Sequence, residues 1–176
     1  MHDPRSALAR LFEAHFGVPA HTVAPMVGGG SQRRMLRLRD EEGRSAVGVI
    51  GPDSKENRAF VSFARALRGA DLPVPAVLGE DQEAGVYLVE DLGDLTLCEA
   101  LEDARESSPA SLPESVRPVY AKVLEGLPRL QIEGARVVDF SHAHPAAVYD
   151  AQAMQWDLNA FKYLFLRLAF VSFDEA

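Results

Sequence analysis

The chain has 176 residues, 47% apolar and 25% charged, which excludes wholesale disorder and leaves room for one domain, or one domain and part of another. With 26 acidic against 18 basic residues its formal charge is −8, which argues against binding to nucleic acid or to an anionic membrane. A lone cysteine, Cys98, excludes an internal disulfide framework and fits a reducing cytoplasm; as a small apolar side chain it is expected to be buried.

Asp3-Pro4 reads as a helix cap followed by proline in the first turn. Leu8, Leu11, Phe12 and Phe16 continue at helical spacing to Gly17, which predicts a helix over residues 4–16. Charges at Met1-His2-Asp3-Pro4 replace the apolar run of a signal peptide. Three strands follow. They are Thr22–Val27, Arg34–Arg39, where Met35 and Arg37 alternate with Leu36 and Leu38, and Ser45–Ile50. The polar turn Asp40–Arg44, with Gly43, makes the last two a hairpin. Pro52-Asp53-Ser54-Lys55-Glu56 opens a helix with Phe60, Phe63, Ala64 and Leu67 as its buried stripe, ending at Gly69. Pro73-Val74-Pro75 is an extended connector. Strands at Ala76–Gly79 and Val86–Glu90 form a second hairpin.

After Asp91 only helices are predicted. The first covers Thr96–Arg105, and 106–113 is a serine- and proline-rich loop. Val116 to Leu130 trace a long apolar face, with Pro118 and Pro128 in a first turn or a kink. A last helix is predicted over Ala146–Ala169. Its apolar residues surround it, so it needs partners on most faces and predicts an exposed patch able to drive self-association. The stretch Tyr163–Phe173 is broken by Arg167 and too short to span a bilayer. Strands in front and helices behind indicate an α+β fold.

Several segments carry chemistry. Gly28, Gly29, Gly30 and Ser31 join the first two strands. Such a loop brings backbone N–H groups close to phosphate oxygens, although a plain flexible turn has the same composition. Asp53 and Glu56 make a capping box. Glu56 is also placed as a helix carboxylate able to orient a phosphate-binding cation. Glu90-Asp91-Leu92-Gly93 ends the fifth strand at the change from sheet to helices. It is either an exposed acidic loop or a hinge whose backbone groups read adenine. His142-Ala143-His144 has no further spaced ligands and reads as a solvated loop rather than a metal site.

In order, Ser31-Gln32-Arg33-Arg34-Met35-Leu36-Arg37-Leu38, Lys55-Glu56-Asn57-Arg58-Ala59-Phe60, Leu72-Pro73-Val74-Pro75-Ala76-Val77 and Leu88-Val89-Glu90-Asp91-Leu92-Gly93 resemble successive landmarks of the aminoglycoside phosphotransferase-like family. Within it they are similar to the bacterial kinases that phosphorylate N-acetylmuramate and N-acetylglucosamine at the anomeric position. Leu130-Gln131 and Met154-Gln155-Trp156-Asp157-Leu158-Asn159 resemble the family's first C-lobe helices. The resemblance implies a protein-kinase-like N-lobe over residues 1–92, a five-stranded antiparallel sheet with one crossing helix. It implies a hinge and truncated helical C-lobe over 93–176. ATP would lie against Gly28–Ser31, Arg33, Glu56 and Glu90–Leu92, with Mg2+ bound farther along in the complete protein. Asp157 and Asn159 would face a sugar or other alcohol acceptor, although two positions apart they point to different helix faces. Trp156 is either core or part of that cleft.

Two departures qualify the implied activity. The third strand, with Val47-Gly48-Val49, lacks the family's cation for the α/β-phosphates, and Arg33 or Arg34 is the substitute the sequence offers. The catalytic loop is missing as well. Neither asparagine, Asn57 or Asn159, has an aspartate five residues before it, and no histidine-or-arginine-x-aspartate signature occurs. The expectation is an inactive N-terminal part of a sugar or amino-sugar kinase. The alternative is a non-catalytic kinase-like module that binds nucleotide or a protein partner.

Overall fold

A computed structural model describes residues 3–26, 32–105 and 113–170. Its front is a five-stranded antiparallel sheet of β1 (Thr22–Pro25), β2 (Arg34–Arg39), β3 (Ser45–Ile50), β4 (Val77–Asp81) and β5 (Val86–Glu90), in the order β1-β2-β3-β5-β4. The predicted hairpins form. Asp40 is buried in the β2–β3 turn and its carboxylate accepts from the amides of Glu42 and Arg44, which holds Gly43 in its left-handed conformation at φ 87°. β4 is displaced from the predicted Ala76–Gly79 by a bulge between Val77 and Gly79.

Helix α1 (Pro4–Phe16) is capped by Asp3 as the sequence predicts. It lays Ala7, Leu8 and Phe12 on one sheet face, against Leu36, Leu38, Ala46, Val86 and Leu88. Gly48 sits under this contact. A Cβ there would lie 2.8 Å from both Leu8 methyl carbons and 2.9 Å from Leu38 Cδ1, so the close approach requires glycine. Helix α2 (Ser54–Gly69) covers part of the opposite face, where Val61 joins Val47, Val49, Tyr87 and Val89, and Phe60 packs beside them. The sheet is therefore clamped between two helices, and the face under α2 extends past it toward Met26 and Met35.

Behind the sheet come α3 (Leu97–Arg105), α4 (Arg117–Ile132), α5 (Gly134–Val137), a 3-10 turn at Phe140–His142, α6 (Ala151–Ala160) and a π-helical segment Phe161–Leu166. Thr96 and Glu99 cap α3 reciprocally: the Thr96 amide donates to Glu99 at 2.8 Å and the Glu99 amide to the Thr96 hydroxyl at 3.2 Å. Pro118 lies in the first turn of α4, and Pro128 lies inside it. The last helix begins at Ala151, later than the predicted 146, because the Asp150 carboxylate accepts from the Ala153 amide. It then widens into the π-helical segment rather than continuing regularly to 169.

Two burial expectations are corrected. Cys98 is exposed on α3, its thiol 3.6 Å from Glu102 Oε1, because nothing in the described chain covers that face of α3. Trp156 is 65% exposed and so is not core. The expected apolar surface is present: Leu158, Leu164, Phe165, Leu168 and Phe170 stand exposed at the end of the described chain, as do Val123, Leu124 and Leu127 on α4.

Candidate functional site

Residues 33, 35, 37 and 39 share one face of β2 and its lead-in, because strand side chains alternate. At the first of these positions the Arg33 guanidinium lies 2.7 Å from Glu56 Oε1, on the first turn of α2. It also lies over the Phe60 ring, 5.5 Å from the centroid. Phe60 in turn stacks on Tyr87 of β5, with centroids 5.0 Å apart. The aromatic pair gives the cation a fixed apolar seat, and the carboxylate fixes its direction. Burial pushes the Tyr87 hydroxyl above its ordinary range, so it stays neutral under the cation. The ion pair joins Glu56 to Arg33, one of the two arginines that the sequence offers in place of a third-strand cation.

About 13 Å farther along the same strand face sits Arg37, which the sequence reading had not marked as a site residue. Its Nε lies 2.8 Å from Asp91 Oδ2 and its Nη2 donates to Asp91 Oδ1 at 2.9 Å. The same guanidinium pairs with Asp94 and donates to the Gly93 carbonyl. Burial pushes the Asp91 carboxyl up, but hydrogen bonds from Arg37, Ser45 and the Gly93 amide outweigh it and hold the group below its usual range. Arg37 thus ties the middle of the sheet to the bend after β5. The available signal was an arginine on the same strand face as Met35, alternating with Leu36 and Leu38. Its partners lie more than fifty positions away (|i−j| is 54 for Asp91 and 57 for Asp94), and no local pattern reveals them.

Glu90, Asp91 and Leu92 form that bend and differ in what they offer. The Glu90 amide donates to the Ala76 carbonyl at 2.9 Å, and its carboxylate accepts from the Ala76 amide at 3.1 Å, pinning the proline connector. Leu92 is exposed. Between the bend and the β1–β2 face lies an open cavity of about 810 Å³, lined by Ala24, Met26, Met35, Arg37, Gly93 and Asp94 among others. This is the size of a small-molecule cleft. Gly28, Gly29, Gly30 and Ser31 lie outside the described residues.

Asp157 and Asn159 are exposed on α6 and have local partners. The Tyr149 hydroxyl donates to Asp157 at 2.5 Å, and Gln155 donates to Asn159 at 3.2 Å. The main neighbour of α6 is the π-helical segment, not the sheet. His142 and His144 are exposed, as the loop reading expects, and their rings also reach α2: His142 Nδ1 lies 2.8 Å from the Ser62 hydroxyl and His144 Nε2 lies 3.2 Å from Asp53 Oδ2. Among the described residues no group of three or more His, Cys, Asp or Glu side chains is placed to hold a metal ion. No helix among them is long and apolar enough to cross a membrane.

No family model matches the chain. Over 99 residues it is 37% identical to the N-acetylmuramate/N-acetylglucosamine kinase of Pseudomonas aeruginosa, an alignment covering 54% of this chain and 29% of that protein. The chain therefore spans less than a third of the curated relative it matches. A solved structure carrying the name fructosamine-3-kinase, from Thermobifida fusca, matches with a TM-score of 0.36 and 18% identity, covering 51% of this chain and 32% of that one. The sequence likeness to the Pseudomonas kinase supports a relationship between this chain and the phosphotransferases.

Proposed function

We propose that this chain is the nucleotide-binding part of an ATP-dependent phosphotransferase for a sugar or amino sugar, with residues 1–92 as its N-lobe and 93–176 as a hinge and partial helical lobe. The observation that carries this is the Arg33–Glu56 pair, 2.7 Å apart on the first turn of the crossing helix. A triphosphate needs an oriented cation, and the pair supplies one where the third strand has none. Met26, Met35, Val47 and Val89 supply an apolar surface for a purine. The Glu90 amide is engaged with Ala76, so Asp91 and Leu92 are the hinge positions for the purine edge. Gly28–Ser31 would approach the phosphates. Asp157 and Asn159 belong to the acceptor side of the complete protein.

ATP supplies the transferable phosphoryl group; what these residues do is bind and orient it. Among the described residues no group of three or more His, Cys, Asp or Glu side chains is placed to hold a metal ion, and the sequence carries no aspartate in the family's catalytic-loop pattern. The proposal is accordingly that the 176 residues bind nucleotide without transferring phosphate, in the cytoplasm. Thermal melting with and without ATP tests the binding, since a ligand of the native state raises the melting temperature. The shift is expected in the wild type and lost in Arg33→Ala. No shift in the wild type would refute the reading. Turnover of N-acetylglucosamine with ATP by this chain alone would refute its inactivity.

A second reading has its own support. The exposed apolar residues of α4, α6 and the π-helical segment form a surface of the kind that recruits protein. A non-catalytic module that associates with itself or another chain would use it. Association in light scattering across a concentration series, without any ATP-induced melting shift, would favour this second reading.

A further inference from the structure

Residues 139–144 lie along α2 as a strap with three fastenings. His144 Nε2 is 3.2 Å from Asp53 Oδ2. The Ser62 hydroxyl and His142 Nδ1 are 2.8 Å apart. The Phe140 ring meets Phe63 nearly edge-on, with centroids 6.1 Å apart. Asp53 and Ser62 are separated by about 2.5 turns of helix, so the strap grips most of the length of α2. It comes from the far side of the chain, after α5, and α5 itself presses Gly134 onto Leu67 so closely that a Cβ there would lie 2.9 Å from a Leu67 methyl carbon.

The first fastening acts on the turn that matters to the proposed site. Asp53 caps α2. Its Oδ1 accepts from the amides of Lys55 and Glu56, while Oδ2 faces His144. The two oxygens divide the work, so the imidazole adds to the cap without displacing it. Glu56, whose amide is capped, is the residue whose carboxylate directs Arg33. We propose that the strap positions the first turn of α2 and thereby Glu56, and that His144 is its proton-sensitive fastening. His142 and His144 are positioning residues and touch no substrate. The consequence for nucleotide binding rests on the function proposed above; the mechanical claim does not.

The charges around the strap set the sign. His144 faces Asp53, with Lys55 on the same turn. The capping amides of Glu56 and Lys55 hold the Asp53 carboxyl below its usual range, so it stays anionic in mildly acidic solution. Histidine is the side chain whose charge changes near physiological pH, and a histidine–carboxylate contact changes with it from dipole-to-anion to ion pair. His142 sits among opposing charges. Asp139 is 4.0 Å away on its own segment, and Arg58 and Arg65 from α2 and Glu80 from β4 line the same cavity. These charges oppose one another, so the direction is set at the His144–Asp53 contact.

The test is amide hydrogen exchange of α2 in the full chain at about pH 8 and about pH 5.5, corrected for intrinsic rates, with ATP affinity measured in parallel. Protection of the Glu56–Arg58 amides should rise about twofold to fivefold on acidification, the range of an exposed ion pair. His144→Ala should abolish the rise, and His144→Lys should keep protection high at both pH values. His144→Gln, which retains an N–H donor, serves if the alanine variant fails to fold, and it should show pH-independent protection at the wild-type high-pH level. Equal protection in wild type and variants at both pH values overturns the strap, whether or not ATP binds. The expected protection pattern without ATP binding leaves the strap standing and removes the kinase reading.

Discussion

Leu8 on α1 is fully buried, and Leu158 on α6 is 61% exposed, although both stand on helices rich in apolar residues. The difference lies in what the surrounding sequence supplies. α1 meets a sheet whose β2 alternates in burial and whose β3 and β5 are largely buried, so Ala7, Leu8 and Phe12 on its inner face find partners. α4 and α6 have apolar residues on several faces, and neither buries a single side chain. The front half is thus a completed core, and the rear half presents a surface that still has apolar area to cover. An ion pair built across the completed half is held by packing; the same residues on the rear helices would be free to move.

The contrast is broken most forcefully by core truncation. Leu8→Ala should lower unfolding free energy by about 2–5 kcal/mol, whereas Leu124→Ala on the exposed face of α4 should change it by no more than about 0.5 kcal/mol. Urea unfolding followed by circular dichroism measures both. Comparable losses would mean that the rear helices pack in solution.

Arg37→Met removes the tie between β2 and the bend after β5. It should cost about 1.5–3 kcal/mol at neutral pH, the range for hydrogen bonds to charged groups. The pH dependence follows from Asp91, whose folded-state pKa is depressed. Such a carboxylate stabilises the fold fully above its unfolded value of about 3.9 and loses that contribution as pH falls through the lower folded value. The difference between wild type and Arg37→Met should therefore be flat above about pH 5 and shrink below about pH 4. A difference that persists unchanged in acid would show that Asp91 is not the partner that counts.

Gly48→Ala tests the closeness of α1 to the sheet. With Leu8 and Leu38 atoms under 3 Å from the new Cβ, overpacking should cost about 1–3 kcal/mol. At the rear, Leu164→Ser together with Leu168→Ser should weaken any self-association without shifting the unfolding midpoint measurably. Sedimentation velocity reads the first effect and urea unfolding the second.

The front half was legible because its signals are local. Period-two alternation in Arg34–Arg39, the Asp40–Arg44 turn, and the caps at Asp3 and Asp53 each act within a few residues, and each element formed where it was read. Glu56 was legible as a helix carboxylate, and Arg33 as the cation nearest the glycine loop. Arg33 and Arg34 were equal options, and the meeting of Arg33 with Glu56 was not read, because the pairing depends on how α2 crosses the sheet. Arg37 and Asp91 were hidden for the same reason: their contact joins segments that sequence spacing does not relate. The start of α6 was read too early because Ala146, Ala147 and Val148 continue the apolar pattern, and the Asp150 cap overrides it. Burial of Cys98 failed because a single apolar residue carries no information about what covers its helix.

The claim that the β2–α2 face binds nucleotide is tested most directly by backbone amide shifts of the labelled chain during an ATP titration. The account predicts saturable shifts confined to the region of Arg33 and Met35, the first turn of α2, Val47, and Asp91–Leu92, and predicts that Glu56→Gln reduces the affinity about tenfold, as loss of one charge-assisted contact implies. Shifts that map instead to α4 and α6, or a Glu56→Gln chain that binds ATP as tightly as the wild type, would contradict it.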